Sequence, residues 1–148
     1  MSPPAFSLRP AIEADYPWLW QLKRDTMRGY VENTWGSWDE VAQEAFFRRN
    51  FSPATVNVIT TGHHDVGLLE LVHRPHEIFL ANIQIAPAHQ SRGLGAAVVR
   101  TVQDEAAACG LPLCLQVLKV NPARRFYERL GFTVTSETLS HWFMEWRA

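Results

Sequence analysis

The run Gln90-Ser91-Arg92-Gly93-Leu94-Gly95 joins two glycines to the start of a predicted amphipathic helix. Gly93 and Gly95 have no Cβ atom, so backbone N–H groups there can come close to a ligand. The first turn of a helix also leaves N–H groups unpaired and carries a partial positive charge. The pattern therefore indicates an anion site that suits a pyrophosphate. The alternative is a tight strand-to-helix turn that binds nothing.

Two other phosphate-binding motifs do not fit this loop. A dinucleotide-binding loop needs a third glycine at position 98, where the chain has Val98. A nucleoside triphosphate loop needs a lysine directly after its last glycine, and Ala96 stands there. Both motifs are therefore excluded, and the loop must be interpreted together with the segments around it.

A second motif follows an apolar strand predicted over residues 113–120. Asn121 is placed as a helix N-cap, and Pro122 as the first helical residue. Gly131 is expected to end this helix as the residue after its C-cap. Tyr127 falls nearly two turns into the helix, where it is either a core aromatic or a hydroxyl that faces a site. Core packing is the expected role of the apolar residues around it, Phe126, Leu130 and Phe132.

From about Ile78 to Phe132 the chain resembles the GNAT acetyltransferase superfamily. The resemblance rests on Q-x-x-G-x-G after a strand that ends in Pro, and on N-P-A-x-x-F-Y-x-x-x-G-F. It implies that the chain binds acetyl-coenzyme A and acetylates an amine. It also implies that backbone amides of residues 92–96 hold the pyrophosphate and that the strand edge 81–85 pairs with the pantetheine arm.

The same resemblance implies that Asn121 helps to hold the pantetheine arm and that Tyr127 lies near the sulfur. The cofactor-binding residues that it implies are Ile83, Gln84, Ile85, Gln90, Ser91, Arg92, Gly93, Leu94, Gly95, Ala96, Asn121, Ala123, Phe126 and Tyr127.

Direct attack of an amine within a ternary complex has three chemical requirements. The amine must lose a proton, since a free alkyl ammonium has a pKa of about 10.4. The oxyanion needs a hydrogen-bond donor, most simply a backbone N–H from the strand near Gln84. The departing thiolate needs a proton, which Tyr127 can donate as a general acid if its hydroxyl lies within hydrogen-bond reach.

The general base stays open at the level of sequence. Some members of the superfamily carry a Glu where this chain has Gln116, and others carry one near the position of Phe79. For Glu70, a buried carboxyl with a raised pKa and a solvated carboxylate at a strand edge are both open. The candidates that remain are Glu70, Glu32, His141 and a water held by Asn82.

The acceptor amine is expected beside residues 27–40, a segment rich in Trp, Tyr and acidic residues. Residues 28–37 are predicted to be a loop, and loops often carry binding function. Aromatic faces and carboxylates suit a cationic amine, whereas the alternative is a hydrophobic anchor between two helices. The expected substrate-binding residues are Tyr30, Glu32, Trp35, Trp38 and Asn82, and the expected catalytic residues are Tyr127, Glu32 and Glu70.

Composition sets the outer bounds. A chain of 148 residues with a net charge of −1 predicts one domain over residues 1–148, with neither nucleic acid nor a membrane as partner. The N-terminus lacks a secretory signal pattern, and two cysteines match no metal motif, which together predict a cytoplasmic protein with free thiols. The paired histidines at 63–64 and at 73 and 76 are expected on the surface, so no metal is predicted. We expect a monomer or homodimer that acts on a small-molecule or peptide amine.

Periodicity predicts the element order βααβββαβαββ. The expected strands are 6–9, 55–61, 66–73, 77–85, 113–120, 133–137 and 141–146, and the expected helices are 15–27, 39–49, 94–108 and one after Asn121. Strands that alternate with helices in the second half predict a mixed sheet with a parallel pair ending at Ile85 and Val120. The inward positions are predicted as 41, 45 and 46 in the second helix and 94, 98, 101, 102 and 105 in the third.

The predicted fold class is therefore α/β (α+β). The resemblance implies a GNAT-like, mostly antiparallel twisted sheet of about seven strands with a central parallel pair and about four helices. In open α/β sheets, ligands bind outside the carboxyl ends of the strands, so both motifs should face one cleft. Two other functions stay open: a sensor that binds acyl-coenzyme A without catalysis, and a domain whose tryptophans bind a protein partner.

Overall fold

The computed structural model describes residues 4–148, which form a seven-stranded sheet and four α-helices. In chain order they are β1 Ser7–Pro10, α1 Tyr16–Trp35, α2 Glu40–Asn50, β2 Val56–Thr61, β3 His64–His73, β4 Ile78–Ile85, α3 Leu94–Cys109, β5 Leu113–Leu118, α4 Ala123–Arg129, β6 Thr133–Glu137 and β7 His141–Trp146. The strand order in the sheet is β1-β2-β3-β4-β5-β7-β6, and only β4 and β5 run parallel. The predicted fold class and element order are confirmed.

The parallel pair is short. Within the described residues, β4 and β5 are in register only at Ile78↔Leu113 and Phe79↔Cys114. Beyond that point β4 continues to pair with β3, and β5 continues to pair with β7. The two strands therefore separate, and β4 from Leu80 onward has no strand partner on its β5 side.

Helix α1 is longer than its sequence predicts. It continues through Trp35, so the loop predicted over 28–37 is wrong except at its last two residues. Gly29 costs a helix about 1 kcal/mol relative to Ala, but it does not end this one. An Arg28–Glu32 ion pair spans the following turn, and the helix ends where Gly36 adopts a left-handed φ of 88°.

Helix α2 packs by a different face from the one predicted. Val41, Ala45 and Phe46, expected inward, are exposed. Phe47 packs instead, together with Phe51, against a core cluster between α1 and the sheet. The half-buried positions 43, 44 and 47 lie nearly on the opposite side of the helix from 41, 45 and 46. The short helix has several apolar residues, so its periodicity alone does not fix one face.

Helices α3 and α4 pack on the other core cluster. Leu94, Val98 and Val102 of α3 are buried as predicted, whereas Thr101 and Glu105 are exposed. The side chains that complete the buried face of α3 are Ala97, Val99, Gln103 and Ala106. The end of α4 is as predicted, since Gly131 has a φ of 95° and Phe132 is buried behind it.

The remaining differences are small shifts of element ends. Strand β5 stops at Leu118, two residues before its predicted end, and β3 begins at His64, two residues before its predicted start. Pro10 belongs to β1, where the edge position needs no N–H donor on its open side. No helix in residues 4–148 has the length and apolar character needed to cross a membrane.

Candidate active site

Two cavities meet where β4 and β5 separate. The loop cavity, about 710 Å³, lies between the glycine loop and α4, and the inner cavity, about 500 Å³, is bounded by α1, α2, β5 and β7. They form one continuous cleft because they share the wall residues Met27, Ile83, Gln84, Asn121, Ala123 and Tyr127. Every cofactor residue implied by the resemblance lines the loop cavity except Arg92, whose side chain is exposed.

The glycine loop opens α3 with an N-terminal turn that faces the loop cavity. Gly93, at a φ of 79°, precedes the first helical residue, and no side chain caps the helix. Its carbonyl accepts the first bond of the helix, from Ala97 at 3.1 Å, so the N–H groups ahead of Ala97 have no acceptor within the helix. Ser91, at a φ of 65°, is the one non-glycine residue of the described chain with a left-handed backbone. Such strain is typical of ligand-binding loops.

Strand β4 turns alternate backbone groups toward the cleft. Ala86 donates its N–H to Val66 of the β3 side at 2.8 Å. Alternate residues of an antiparallel strand face the same neighbour, so Gln84 also directs its backbone toward β3. Ile83 and Ile85 therefore direct theirs toward the gap, and the carbonyl of Ile85 accepts from Gln90 Nε2 at 2.8 Å. The backbone donors available to a ligand near Gln84 are thus its two neighbours.

Tyr127 is buried in the wall that the two cavities share. Its ring makes edge-on contacts with Phe126 and Phe132, at centroid distances of 5.1 and 5.4 Å. Burial raises the pKa of Tyr127 to about 12, so the hydroxyl is protonated at neutral pH. Asn121 lies beside it, and its Oδ1 accepts the Ala123 N–H at 2.9 Å. This contact supports the predicted capping role of Asn121, although the helix proper begins two residues later.

A polar network joins α1 to the floor of the inner cavity. Glu70 accepts from Asn82 Nδ2 at 2.7 Å and from Thr55 Oγ1 at 3.2 Å. Asn82 Oδ1 accepts from Lys23 Nζ at 3.2 Å and from Gln84 Nε2 at 3.3 Å. Since a lysine only donates and a carboxylate only accepts, this arrangement fixes the orientation of both amides.

The network leaves one buried atom without a partner. Gln84 is 6% exposed, and its Oε1 makes no hydrogen bond within the described chain. Desolvation lowers the pKa of Lys23, while the charge of Glu70 acts in the opposite direction. Leaving a buried amide oxygen unpaired costs about 1–3 kcal/mol, so this position of the shared wall is destabilising in the unliganded protein.

His141 lies in the wall of the inner cavity, at the start of β7. Its Nδ1 is 2.7 Å from Ser140 Oγ, and its ring centroid is 6.3 Å from that of Trp35. Burial lowers the pKa of His141, which favours the neutral imidazole. The turn before it is held by Thr138 Oγ1, which accepts the His141 N–H at 3.0 Å.

The residues predicted to bind the acceptor do not all come together. Trp35 and Asn82 line the inner cavity, whereas Tyr30 lines the loop cavity. Glu32 pairs with Arg28 at 2.6 Å and lines neither cavity. Trp38 stacks on Trp20 at 6.0 Å and donates to Glu40, which matches the anchoring role that the sequence left open.

Several residues of the cleft are missed by sequence reasoning. Lys23 follows Leu19 by four residues on the buried face of α1, and this charged position in an apolar stripe is a signal that could have revealed it. Phe46 lines the inner cavity because α2 turns that face outward. Arg129 and His89 line the loop cavity, and no local pattern marks them. No group of three or more His, Cys, Asp or Glu side chains in residues 4–148 is placed to hold a metal ion.

Comparison with known proteins agrees with this geometry. Residues 52–134 match the family model described as an acetyltransferase (GNAT) domain. Among solved structures, the PaiA N-acetyltransferase of Thermoplasma acidophilum, in complex with coenzyme A, is similar at a TM-score of 0.76 and 17% identity, with 97% of this chain and 99% of that chain covered.

Two further structures have the same fold. An acetyltransferase from Thermus thermophilus aligns at a TM-score of 0.72 and 20% identity, with 100% of each chain covered. The ribosomal-protein-S18-alanine N-acetyltransferase of Escherichia coli aligns at 0.68 and 21% identity, with 97% of this chain and 94% of that chain covered. The family model covers more than half of the sequence, and the chain therefore belongs to the GNAT family of acetyltransferases.

Proposed function

We propose that the protein transfers an acetyl group from acetyl-coenzyme A to a primary amine by direct attack within a ternary complex. The observation that carries this proposal is the pair of joined cavities at the separation of β4 and β5, with Tyr127 in their common wall. Acetyl-coenzyme A would supply the thioester carbonyl. In the transfer a C–N bond forms and the C–S bond breaks, one amine proton passes to a base, and the sulfur takes up a proton.

The cofactor is assigned to the loop cavity. The free N–H groups at the start of α3 suit a pyrophosphate, and Arg129 adds a positive charge to the same cavity. The open edge of β4 offers backbone groups of Ile83 and Ile85 to the amides of an extended pantetheine arm. Asn121 Oδ1 caps α4, and its Nδ2, which donates to no group of residues 4–148, is assigned to that arm.

Tyr127 is assigned as the proton donor to the departing sulfur. Its hydroxyl is neutral at physiological pH because burial raises its pKa to about 12. The outward N–H of Ile83, in the shared wall, is assigned to the oxyanion, since the Gln84 N–H is turned toward β3. These roles require the thioester carbon to lie over the shared wall of the cleft.

His141 is assigned as the base that takes the amine proton. It lines the inner cavity, and burial favours its neutral form. Contact between Nδ1 and Ser140 Oγ leaves Nε2 to accept a proton when Nδ1 carries the ring hydrogen. Glu32 takes no part in this scheme because it is paired with Arg28 outside the cleft lining. Glu70 holds Asn82 in place, and each of its oxygens already accepts a hydrogen bond.

The proposal is tested by thermal shift with acetyl-coenzyme A, followed by a panel of primary amines with thiol release as the readout. We expect stabilisation by acetyl-coenzyme A and thiol release that depends on the amine. Stabilisation without turnover of any amine would favour a sensor that binds acyl-coenzyme A. The absence of both would favour a protein-interaction domain.

A further inference from the structure

The inner cavity has one charged side chain and no carboxylate in the lining contributed by residues 4–148. That side chain is Lys23; burial lowers its pKa, and the nearby charge of Glu70 opposes that shift and favours the ammonium form. The other polar groups are uncharged amides, the Tyr127 hydroxyl and the imidazole of His141. A second ammonium group in this cavity would need an anion to pair with. The lining of the inner cavity offers Lys23 instead.

The acidic residues nearest in sequence to this cavity are engaged elsewhere. Glu32 pairs with Arg28, and Glu40 accepts from Arg24 and from the indole of Trp38. Glu70 lines only the small adjoining cavity of about 70 Å³ beneath α2. Lys23 lines both that cavity and the inner cavity. Glu70, in the adjoining cavity, is thus accompanied by Lys23.

Large apolar side chains in the inner cavity remain accessible. Trp35 is 58% exposed and Phe46 is 59% exposed, and both line the inner cavity. Met27 and Val31 continue this surface along α1. Exposed aromatic surface on a cavity lining is typical of a ligand site, because an apolar ligand removes that surface from water.

Lys23 is held at the floor of the inner cavity by a chain of hydrogen bonds. Its Nζ donates to Asn82 Oδ1 at 3.2 Å, and Asn82 Nδ2 donates in turn to Glu70 at 2.7 Å. The lysine nitrogen therefore has a fixed position in the cavity lining.

We propose that the acceptor is a monoamine with an apolar body, and that Lys23 makes the cleft reject diamines and polyamines. This inference rests on the proposed function, since it concerns the substrate class of the same cleft. A second ammonium a few ångströms from Lys23 would weaken binding by on the order of tenfold or more, since like charges repel strongly at the low effective dielectric of a cleft.

The test compares pentylamine with 1,5-diaminopentane, which have the same carbon chain, and adds 2-phenylethylamine and spermidine. We expect kcat/KM to be at least about tenfold higher for pentylamine than for the diamine. Lys23→Met should narrow that ratio by raising activity with the diamine, because the positive charge that repels a second ammonium is removed from the cavity lining. Lys23→Arg keeps the charge and should keep the ratio, and thermal unfolding of both variants checks that each is folded.

The apolar body is tested separately on α2. Phe46→Ala should raise the KM for 2-phenylethylamine severalfold, with little change for acetyl-coenzyme A. The matched control is Val41→Ala, which removes an 81% exposed apolar side chain of the same helix that does not line the inner cavity. Unchanged kinetics in Val41→Ala alongside a raised KM in Phe46→Ala would support the proposal.

Two results would overturn the inference, and they differ from failure of the proposed function. Wild-type kcat/KM for diamines or spermidine at or above that for the monoamines would refute the substrate class while leaving an active acetyltransferase. An unchanged ratio in folded Lys23→Met would refute the role of Lys23. Absence of thiol release with every amine would overturn the proposed function itself, and the substrate class with it.

Discussion

Replacing Tyr127 by Phe deletes one oxygen atom at the centre of the cleft. The ring keeps its edge-on contacts with Phe126 and Phe132, because these contacts use its carbon atoms. The hydroxyl has no hydrogen-bond partner in the described chain, so its removal leaves no donor or acceptor unpaired. The variant should therefore fold with nearly the same free energy of unfolding.

The magnitude of the kinetic effect follows from the pKa of the hydroxyl. Burial raises the pKa of Tyr127 to about 12, whereas a thiol has a pKa of about 8.5, so full proton transfer to the thiolate is uphill by roughly 3.5 pKa units. At 1.36 kcal/mol for each unit, complete transfer would cost about 5 kcal/mol. Most of the contribution of Tyr127 to catalysis is therefore expected from a hydrogen bond to the charge that develops on the sulfur. Such a bond is worth about 1.5–3 kcal/mol. Tyr127→Phe should lower kcat by roughly ten- to a hundredfold.

The assay measures thiol release at saturating amine, together with the affinity for acetyl-coenzyme A. We expect kcat to fall while that affinity stays within about twofold, because the hydroxyl acts on charge that develops during the reaction. Tyr16→Phe is the matched control, since it removes a hydroxyl from a tyrosine that packs on Phe47 and Phe51 away from the cleft. Wild-type turnover in folded Tyr127→Phe would refute the role of the hydroxyl.

Three further predictions concern the glycines and His141. Gly93 has a left-handed φ of 79°, so Gly93→Ala should strain the loop by about 1–2 kcal/mol and weaken binding of acetyl-coenzyme A. Gly95→Ala places a Cβ 3.6 Å from Phe126 and should fold normally. Thermal shift with and without the cofactor measures both effects. Gly67→Ala sets a Cβ 2.4 Å from the carbonyl oxygen of Gln84 and should destabilise the protein by about 1–3 kcal/mol. The Cβ of Gly29→Ala meets nothing within 4 Å, and this variant should stabilise the helix by about 0.5–1 kcal/mol. Denaturant titrations measure both free energies of unfolding. Burial lowers the pKa of His141 in the folded state, so the unfolded chain binds more protons and the free energy of unfolding should fall as pH decreases through about 6.5. His141→Gln should remove that component and the acidic limb of kcat/KM, and retention of the limb would show that another group is the base.

The sequence predicts an element well where residues only a few positions apart determine its start or end. The turn from β4 into α3 and the cap at Asn121 depend on residues a few positions apart, and both lie within one or two residues of their predicted positions. The end of α1 is less accessible to such reasoning. Gly29 has the sequence signature of a helix end, yet the real end is at Gly36, where the backbone turns left-handed.

The acceptor side of the cleft could not be predicted because five separate elements build it. Lys23 comes from α1, Phe46 from α2, Asn82 from β4, Gln116 from β5 and His141 from β7. No periodicity relates these positions, and the face by which α2 packs decides whether Phe46 is directed to the core or to the cleft. Tertiary packing, which places α1 across β4, is what brings the five residues together.

The site arises from an interruption in the sheet. After two register pairs, β5 follows β7 and β4 follows β3, so the backbone N–H and C=O groups along one edge of β4 lose their strand partners in the interior of the fold. Buried backbone groups need partners, and an exposed strand edge readily accepts an added extended chain. An amide-bearing ligand laid along Ile83 and Ile85 would restore the missing ladder, with one end directed toward the first turn of α3 and the other near Tyr127. On the proposed function, cofactor binding would complete the sheet; the cleft lies in the middle of the sheet rather than at its rim because the pairing of β4 with β5 stops after two residues.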